Sequence, residues 1–395
     1  MYSLKYLFLI FLFILSCSSS KKMNGKFREN RDIIITEDIR PIPFSAPTGQ
    51  KPQSKLWYYD NNWWVVLSSG QGSDIWKLDG NQWSKSFHLN DLKNAAADVL
   101  SINGVTHILL YKSVNSILVS VEYDKKSGKY RFWQNRPNPL PVPLESAGET
   151  ATIAMDGAGR MWLASDDESE MHVRWSDEPY QVWSEAITLV SGTKNDDICV
   201  ITAFPNGDIG LLWSNQITKR FGFRLHKKGD EPHKWSADEI PAAQSAIDWE
   251  DGMADDHLNI AVASDGTLYA AVKTSYDTAN YPLIALLVRR PSGKWDDLYY
   301  VDDEGSRGII LLNEMKHTLL LVYTSYRDNQ IVYRASDSRK IKFGPRNILI
   351  TADSKEKRCN NVSSTKQNIT DEVVIIASVG DIIRSAEIKW NPNIN

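Results

Sequence analysis

Ala151-Thr-Ile-Ala-Met-Asp-Gly-Ala-Gly-Arg-Met-Trp-Leu-Ala-Ser165 decides the fold. Two short apolar runs flank Asp156-Gly157, a dipeptide that suits a tight hairpin. Pro179-Tyr-Gln-Val-Trp183 follows, with its aromatic residues just after a turn. The same order recurs along the chain. The aromatic marker returns at Gly80-Asn-Gln-Trp83, Gly128-Lys-Tyr-Arg-Phe-Trp133, Pro232-His-Lys-Trp235, Gly293-Lys-Trp295 and Lys340-Ile-Lys-Phe343. From Trp83 onward the spacings are 50, 50, 52, 60 and 48 residues. The apolar run ending in small polar residues returns too, as Trp63-Trp-Val-Val-Leu-Ser-Ser69, Gly210-Leu-Leu-Trp-Ser214, Leu268-Tyr-Ala-Ala-Val-Lys273 and Val373-Val-Ile-Ile-Ala-Ser378. Further hairpin signals stand at Asn206-Gly207 and Asp265-Gly266. Four short strands per unit of about 40–50 residues is the pattern of a propeller blade.

The chain is therefore expected to be all-β, a seven-bladed β-propeller. The blades fall at about 51–90, 93–140, 146–188, 193–241, 254–302, 305–350 and 358–391. The last lacks a strand, which Asp32-Ile-Ile-Ile-Thr36 supplies, closing the ring and removing a sheet edge. A pair of β-sandwiches would not explain a sevenfold recurrence. After residue 50 no apolar face of helical period runs longer than about two turns.

Residues 1–17, Met-Tyr-Ser-Leu-Lys-Tyr-Leu-Phe-Leu-Ile-Phe-Leu-Phe-Ile-Leu-Ser-Cys, read as an export signal. One charge, Lys5, precedes an apolar run too short to span a bilayer. The run ends Ile14-Leu15-Ser16-Cys17, so 1–16 are expected to be removed. Cys17 is then expected to carry a lipid, and 17–31 to form a tether before a propeller over 32–395. Ser18 after the cysteine suits the outer membrane. The other two cysteines, Cys199 and Cys359, have two readings: a disulfide, or two buried thiols. The second is preferred because Cys199 lies within an apolar strand.

Of the 395 residues, 45 are Lys or Arg and 49 are Asp or Glu, giving a net charge of −4. That balance argues against a nucleic-acid partner. No zinc-binding, phosphate-cradling or serine-nucleophile motif is present.

In a propeller blade the start of the innermost strand and the end of the second strand lie on one face near the axis. This rule gathers Asp196, Asp197, Asn215, Lys219 and Arg220 from blade four. From blade five it takes Asp255, Asp256, His257, Lys273 and Tyr276. From blades six and seven it takes Arg307, Tyr323, Tyr326, Asn361, Ser364 and Lys366. A carboxylate beside a histidine orients and tunes the imidazole, so His257 with Asp256 is the candidate base and Tyr276 its partner. Lys219, Arg220, Arg307, Lys273 and Lys366 would hold carboxylate or sulfate, with Asp196, Asp197, Asn215 and Tyr323 contacting the rest of a sugar chain. Only one histidine reaches this face, so no metal and no cofactor is expected.

The N-terminus resembles that of bacterial lipoproteins, on Ile14-Leu15-Ser16-Cys17. Residues 190–380 resemble a family of exported bacterial β-propellers. The stretches that carry the likeness include Trp213-Ser-Asn-Gln-Ile-Thr-Lys-Arg-Phe-Gly-Phe-Arg224, Gly252-Met-Ala-Asp-Asp-His-Leu-Asn259, Leu268-Tyr-Ala-Ala-Val-Lys-Thr-Ser275 and Ser364-Thr-Lys-Gln-Asn368. The fold so implied is similar to that of sialidases and propeller polysaccharide lyases, although Ser264-Asp-Gly-Thr-Leu-Tyr269 does not match the sialidase Asp-box spacing. The expectation is a membrane-anchored envelope protein that acts on or binds an acidic polysaccharide or oligosaccharide. A lyase or glycoside hydrolase, a non-catalytic glycan binder and a protein-interaction propeller are the alternatives.

Overall fold

The structure is a computed structural model; it describes residues 33–44, 48, 51–249, 251–276, 278, 280–354 and 356–391. Seven antiparallel sheets follow one another in chain order and close into a ring. The innermost strands are Leu56–Tyr59, Ala96–Ile102, Ala151–Met155, Cys199–Ala203, Leu258–Val262, Ser306–Asn313 and Cys359–Ser363. Each is followed by a second strand that pairs with it antiparallel. In blade three, for example, Ala151 faces Ser165 and Met155 faces Met161. The face where the innermost strands begin is called here the entry face, and the opposite one the exit face.

Each blade is apolar on both sides because it packs between two neighbours, so its central strands read as near-continuous Val/Leu/Ile runs rather than alternating ones. Thr318–Ser325 is buried along nearly its whole length, as is Met161–Asp166. The marker aromatics fill the wedge between adjacent blades. Trp162 lies edge-on to Trp235, ring centroids 5.7 Å apart, and Trp133 stacks on Tyr180 at 6.0 Å. Blade four differs from expectation. Its ladder has three strands, Cys199–Ala203, Ile209–Asn215 and Arg220–His226, and only a single bridge, Phe223 to Glu239, stands where a fourth would run. Cys199 and Cys359 are both buried and unpaired, and burial raises both thiols above their ordinary range.

Closure follows the expected route. Ile33–Thr36 pairs antiparallel with Ile382–Trp390 of blade seven, Ile33 opposite Trp390 and Thr36 opposite Glu387. Ile42–Pro43 continues the climb opposite Ile383 and Ile382. The chain thus rises along the outside of blade seven from the exit face to the entry face. Blade one then begins later than its expected boundary at 51. Residues 51–55 enter the central channel at Lys51, line it at Pro52 and Ser54, and join the ladder of blade one at Lys55, whose carbonyl accepts the Val66 amide at 3.1 Å.

Candidate functional site

That segment ties the entry face to the channel below it. Thr48 is tied to blade seven through its amide on the Ser378 hydroxyl at 3.0 Å and its own hydroxyl on the Asn361 carbonyl. Lys51, with φ 65°, puts its ammonium 2.6 Å from a Glu149 carboxylate oxygen of blade three and against Asp256 of blade five. The Pro52 carbonyl accepts the Asn259 amide at 3.4 Å. Gln53 donates to the Thr150 hydroxyl at 2.8 Å. The Ser54 amide donates to Asp98 at 3.1 Å. One short segment therefore joins blades two, three, five and seven. Lys51 had no sequence signal, because its partners lie roughly one hundred and two hundred residues further along the chain.

Asp255, Asp256 and His257 open the innermost strand of blade five. Nδ1 of His257 meets Asp256 and lies 3.3 Å from Asp255. Its Nε2 is buried without a hydrogen-bond partner, and the whole residue is 7% exposed. The Asp255 carboxylate takes the Lys273 ammonium at 2.6 Å and the Ser275 hydroxyl at 3.3 Å. Burial alone would raise the Asp256 carboxyl. The hydrogen bond from His257, and the charges of His257 and Lys51, outweigh it and hold the group far below the ordinary carboxylate range. The three residues bring one ligand atom each within 4.8 Å of one another, a spacing that fits a cation. The ammonium groups of Lys51 and Lys273 already neutralise both carboxylates from within the chain.

On blade three, Asp166 is buried and accepts the backbone amides of Glu149 at 2.5 Å and Thr150 at 3.0 Å. Desolvation pushes its carboxyl up to about 7, against the pull of those amides. Tyr111 lies beside it, donating to the Gly148 carbonyl.

The other expected residues separate into groups. Asp197 is buried and accepts the amides of Lys194 at 2.8 Å and Gln216 at 3.1 Å. Asp196 accepts the Gln216 side chain at 2.9 Å. Asn215 accepts the amides of Ile217 and Thr218 and donates to the Gly192 carbonyl. These three fold the turns of blade four, and their polar atoms are spent there. Tyr276 is buried, and its hydroxyl exchanges hydrogen bonds with the backbone of Ile247 at 3.0 and 3.1 Å. It pins a loop and does not touch His257. Tyr323 is also buried; its hydroxyl is on Asp302, inside an ion cluster in which Arg334 and Arg346 reach the same carboxylate at 2.8 and 3.0 Å. Lys366 was expected on the entry face. The innermost strand of blade seven ends at Ser363, so Lys366 falls further down the axis. There its ammonium meets Asp98 at 2.5 Å and the Ile153 carbonyl at 3.1 Å. It lines a channel cavity of about 220 Å3 with Thr202, Asn259 and Asn368. Lys55 is buried near the same carboxylate; desolvation lowers it to about 8, with the Asp98 charge opposing.

Lys219, Arg220 and Arg307 do stand on the entry face. Lys219 (φ 59°) and Arg307 (φ 56°) both have left-handed backbone, a conformation that costs about 1–3 kcal/mol in a non-glycine residue. Lys219 lies 3.7 Å from Asp248. Arg220 donates to the Lys219 carbonyl at 2.9 Å. The loop that Tyr276 pins carries Trp249, which is 50% exposed; Tyr281 and Tyr326 are exposed on the same face. Trp249 belongs to none of the aromatic repeat markers, so the sequence pattern did not point to it.

No family model and no curated protein matches the sequence. Among solved structures the chain is similar to an ulvan lyase of family PL25 bound to -[GlcA(1-4)Rha3S]-, with a TM-score of 0.55 and 12% identity, over 88% of this chain and 95% of that one. The polysaccharide lyase Uly1 aligns with a TM-score of 0.52 and 7% identity, over 86% and 90%. A periplasmic gluconolactonase of Pseudomonas aeruginosa gives 0.50 and 13%, over 82% and 95%. These likenesses establish the fold. At such identity they do not assign an activity.

Proposed function

We propose that this chain is an exported, lipid-anchored protein of the bacterial envelope whose entry face binds an acidic polysaccharide. The observation that carries the reading is how charge is distributed over that face. The carboxylates at the channel mouth are engaged from within, Glu149 and Asp256 by Lys51 and Asp255 by Lys273. Arg220 and Arg307 meet no carboxylate among the described residues, and exposed Trp249, Tyr281 and Tyr326 stand among them. Aromatic faces stack on pyranose rings, and guanidinium forks fit carboxylate and sulfate. The likeness in fold to polysaccharide lyases, one of them bound to an oligosaccharide, agrees with a sugar ligand. The anchor reading rests on Cys17 and its apolar leader, which lie outside the described residues.

A second reading, cleavage by elimination, is favoured by one observation. Nδ1 of His257 is held by carboxylates, while Nε2 has no partner. An imidazole held at one nitrogen and uncommitted at the other is the arrangement that general acid or base chemistry uses. The test is affinity electrophoresis of the exported chain, carrying Cys17→Ser for solubility, in gels containing sulfated, uronate or neutral polymers. Retardation by acidic polymers alone is the expected result. Equal mobility in every gel would overturn the binding reading. The same samples are read for the ultraviolet absorbance of an unsaturated uronate. Growth of that absorbance, lost in His257→Ala with retardation kept, establishes cleavage.

A further inference from the structure

We propose that the entry face at the junction of blades six and seven is a subsite for the anionic substituent of the polysaccharide, built by Arg307, Tyr326 and Arg358. The proposal rests on the polysaccharide reading and adds which group of the sugar is read, and where. Arg307 lies on the innermost strand Ser306–Asn313, whose pairing slips between Ser306 and Ile309. Such a bulge re-aims a side chain away from the regular ladder. The left-handed backbone of Arg307 marks the same departure. Its Nη1 donates to the Tyr326 hydroxyl. Arg358, just before the innermost strand of blade seven, lies over the Tyr326 ring, 4.7 Å from its centroid. One tyrosine is thus held at its hydroxyl by one guanidinium and at its face by another.

Two like charges share this small area, and neither has a carboxylate partner among the described residues. Their neighbours do. Arg327 is 3.9 Å from Asp303, Lys357 is 3.3 Å from Asp381, and Arg346 neutralises Glu304 at 2.7 Å and Asp328 at 2.9 Å. Asp303, Asp381, Glu304 and Asp328 are thus taken by other cations. Each guanidinium carries five N–H donors. Arg307 spends one on Tyr326, so most of both forks remain to meet an oxygen acid. A uronate carboxylate or a sulfate ester satisfies both forks and removes their mutual repulsion; a neutral sugar does neither.

The experiment compares the exported chain carrying Cys17→Ser with three further variants. These are Arg307→Ala/Arg358→Ala, Arg358→Lys, and the control Arg131→Ala on blade two. The probes are polygalacturonate, which is carboxylated only, carrageenan, which is sulfated only, and neutral dextran. The double variant is expected to lose at least about tenfold in affinity for whichever acidic polymer the parent binds. Arg358→Lys should lose several-fold although its charge is kept, because the fork is gone. The control should match the parent. The probe that loses affinity tells carboxylate from sulfate. Unchanged thermal midpoints show that the surface variants fold. A parent that binds an acidic polymer and a double variant that binds it equally well would overturn the subsite and leave the polysaccharide reading standing. A parent that binds none of the polymers would overturn both.

Discussion

Asp166 shows how a single carboxyl on the entry face sets a pH response. Its folded-state value near 7 lies above that of an unfolded aspartate. The folded chain therefore holds the proton more tightly than the unfolded one. Stability is greatest below the unfolded value near 4 and falls as pH rises toward 7, by up to about 1.4 kcal/mol per pH unit. Urea denaturation across that window should show the wild type losing stability relative to Asp166→Asn as pH rises. Parallel pH profiles would remove the buried proton from the account. At this scale the sequence was legible where chemistry is local. Asp255, Asp256 and His257 are consecutive, and Lys273 ends the partner strand. Their contacts follow from strand pairing. Tyr276 and Tyr323 were misplaced for the opposite reason. Alternation along a strand does not say whether a hydroxyl turns to the channel or to a neighbouring loop, and both turn to backbone or ion-cluster partners.

Among the elements, the segment that leads into the channel was the least legible. Residues 51–55 lack alternation and precede the first regular strand, so they were counted with blade one. Lys51, Pro52, Gln53 and Ser54 are held instead by contacts to blades two, three and five, which no pattern within the segment encodes. Lys51 is the centre of this arrangement. Burial would lower its ammonium, but the charges of Asp256 and Glu149 and their hydrogen bonds raise it above the ordinary lysine range. Lys51→Met leaves two carboxylates facing each other without their cation. Breaking a fully buried pair costs about 3–5 kcal/mol. Here Glu149 is partly open to solvent, so a loss of about 2 kcal/mol is expected. An unchanged urea midpoint would mean that the segment is held by its backbone contacts alone.

For the whole molecule, the ring depends on a strand from the other end of the chain. The sevenfold recurrence was readable because every blade repeats the same inside-out chemistry. The closing strand was readable because Ile33, Ile34 and Ile35 form an apolar run before any complete blade. Ile33 and Ile35 pack against the core of blade seven. Removing residues 1–44 should expose the edge of Ile382–Trp390 and lower the thermal midpoint by about 5 °C or more. Light scattering that rises with concentration is expected as the free edge pairs between molecules. A monomeric truncated chain with the parent midpoint would show that closure needs no strap.

The path of that strap has a consequence for the proposed lipid anchor. Ile33, the first described residue, sits opposite Trp390, at the exit face. Fifteen residues, the length of 17–31, span at most about 50 Å when extended. If Cys17 holds the bilayer, the exit face is the one moored toward the lipid, and the mouth with Trp249, Arg307 and Arg358 looks outward. A long polymer can then lie across the ring without threading between protein and membrane. Copies side by side on one leaflet would offer it a row of docking points at a common height.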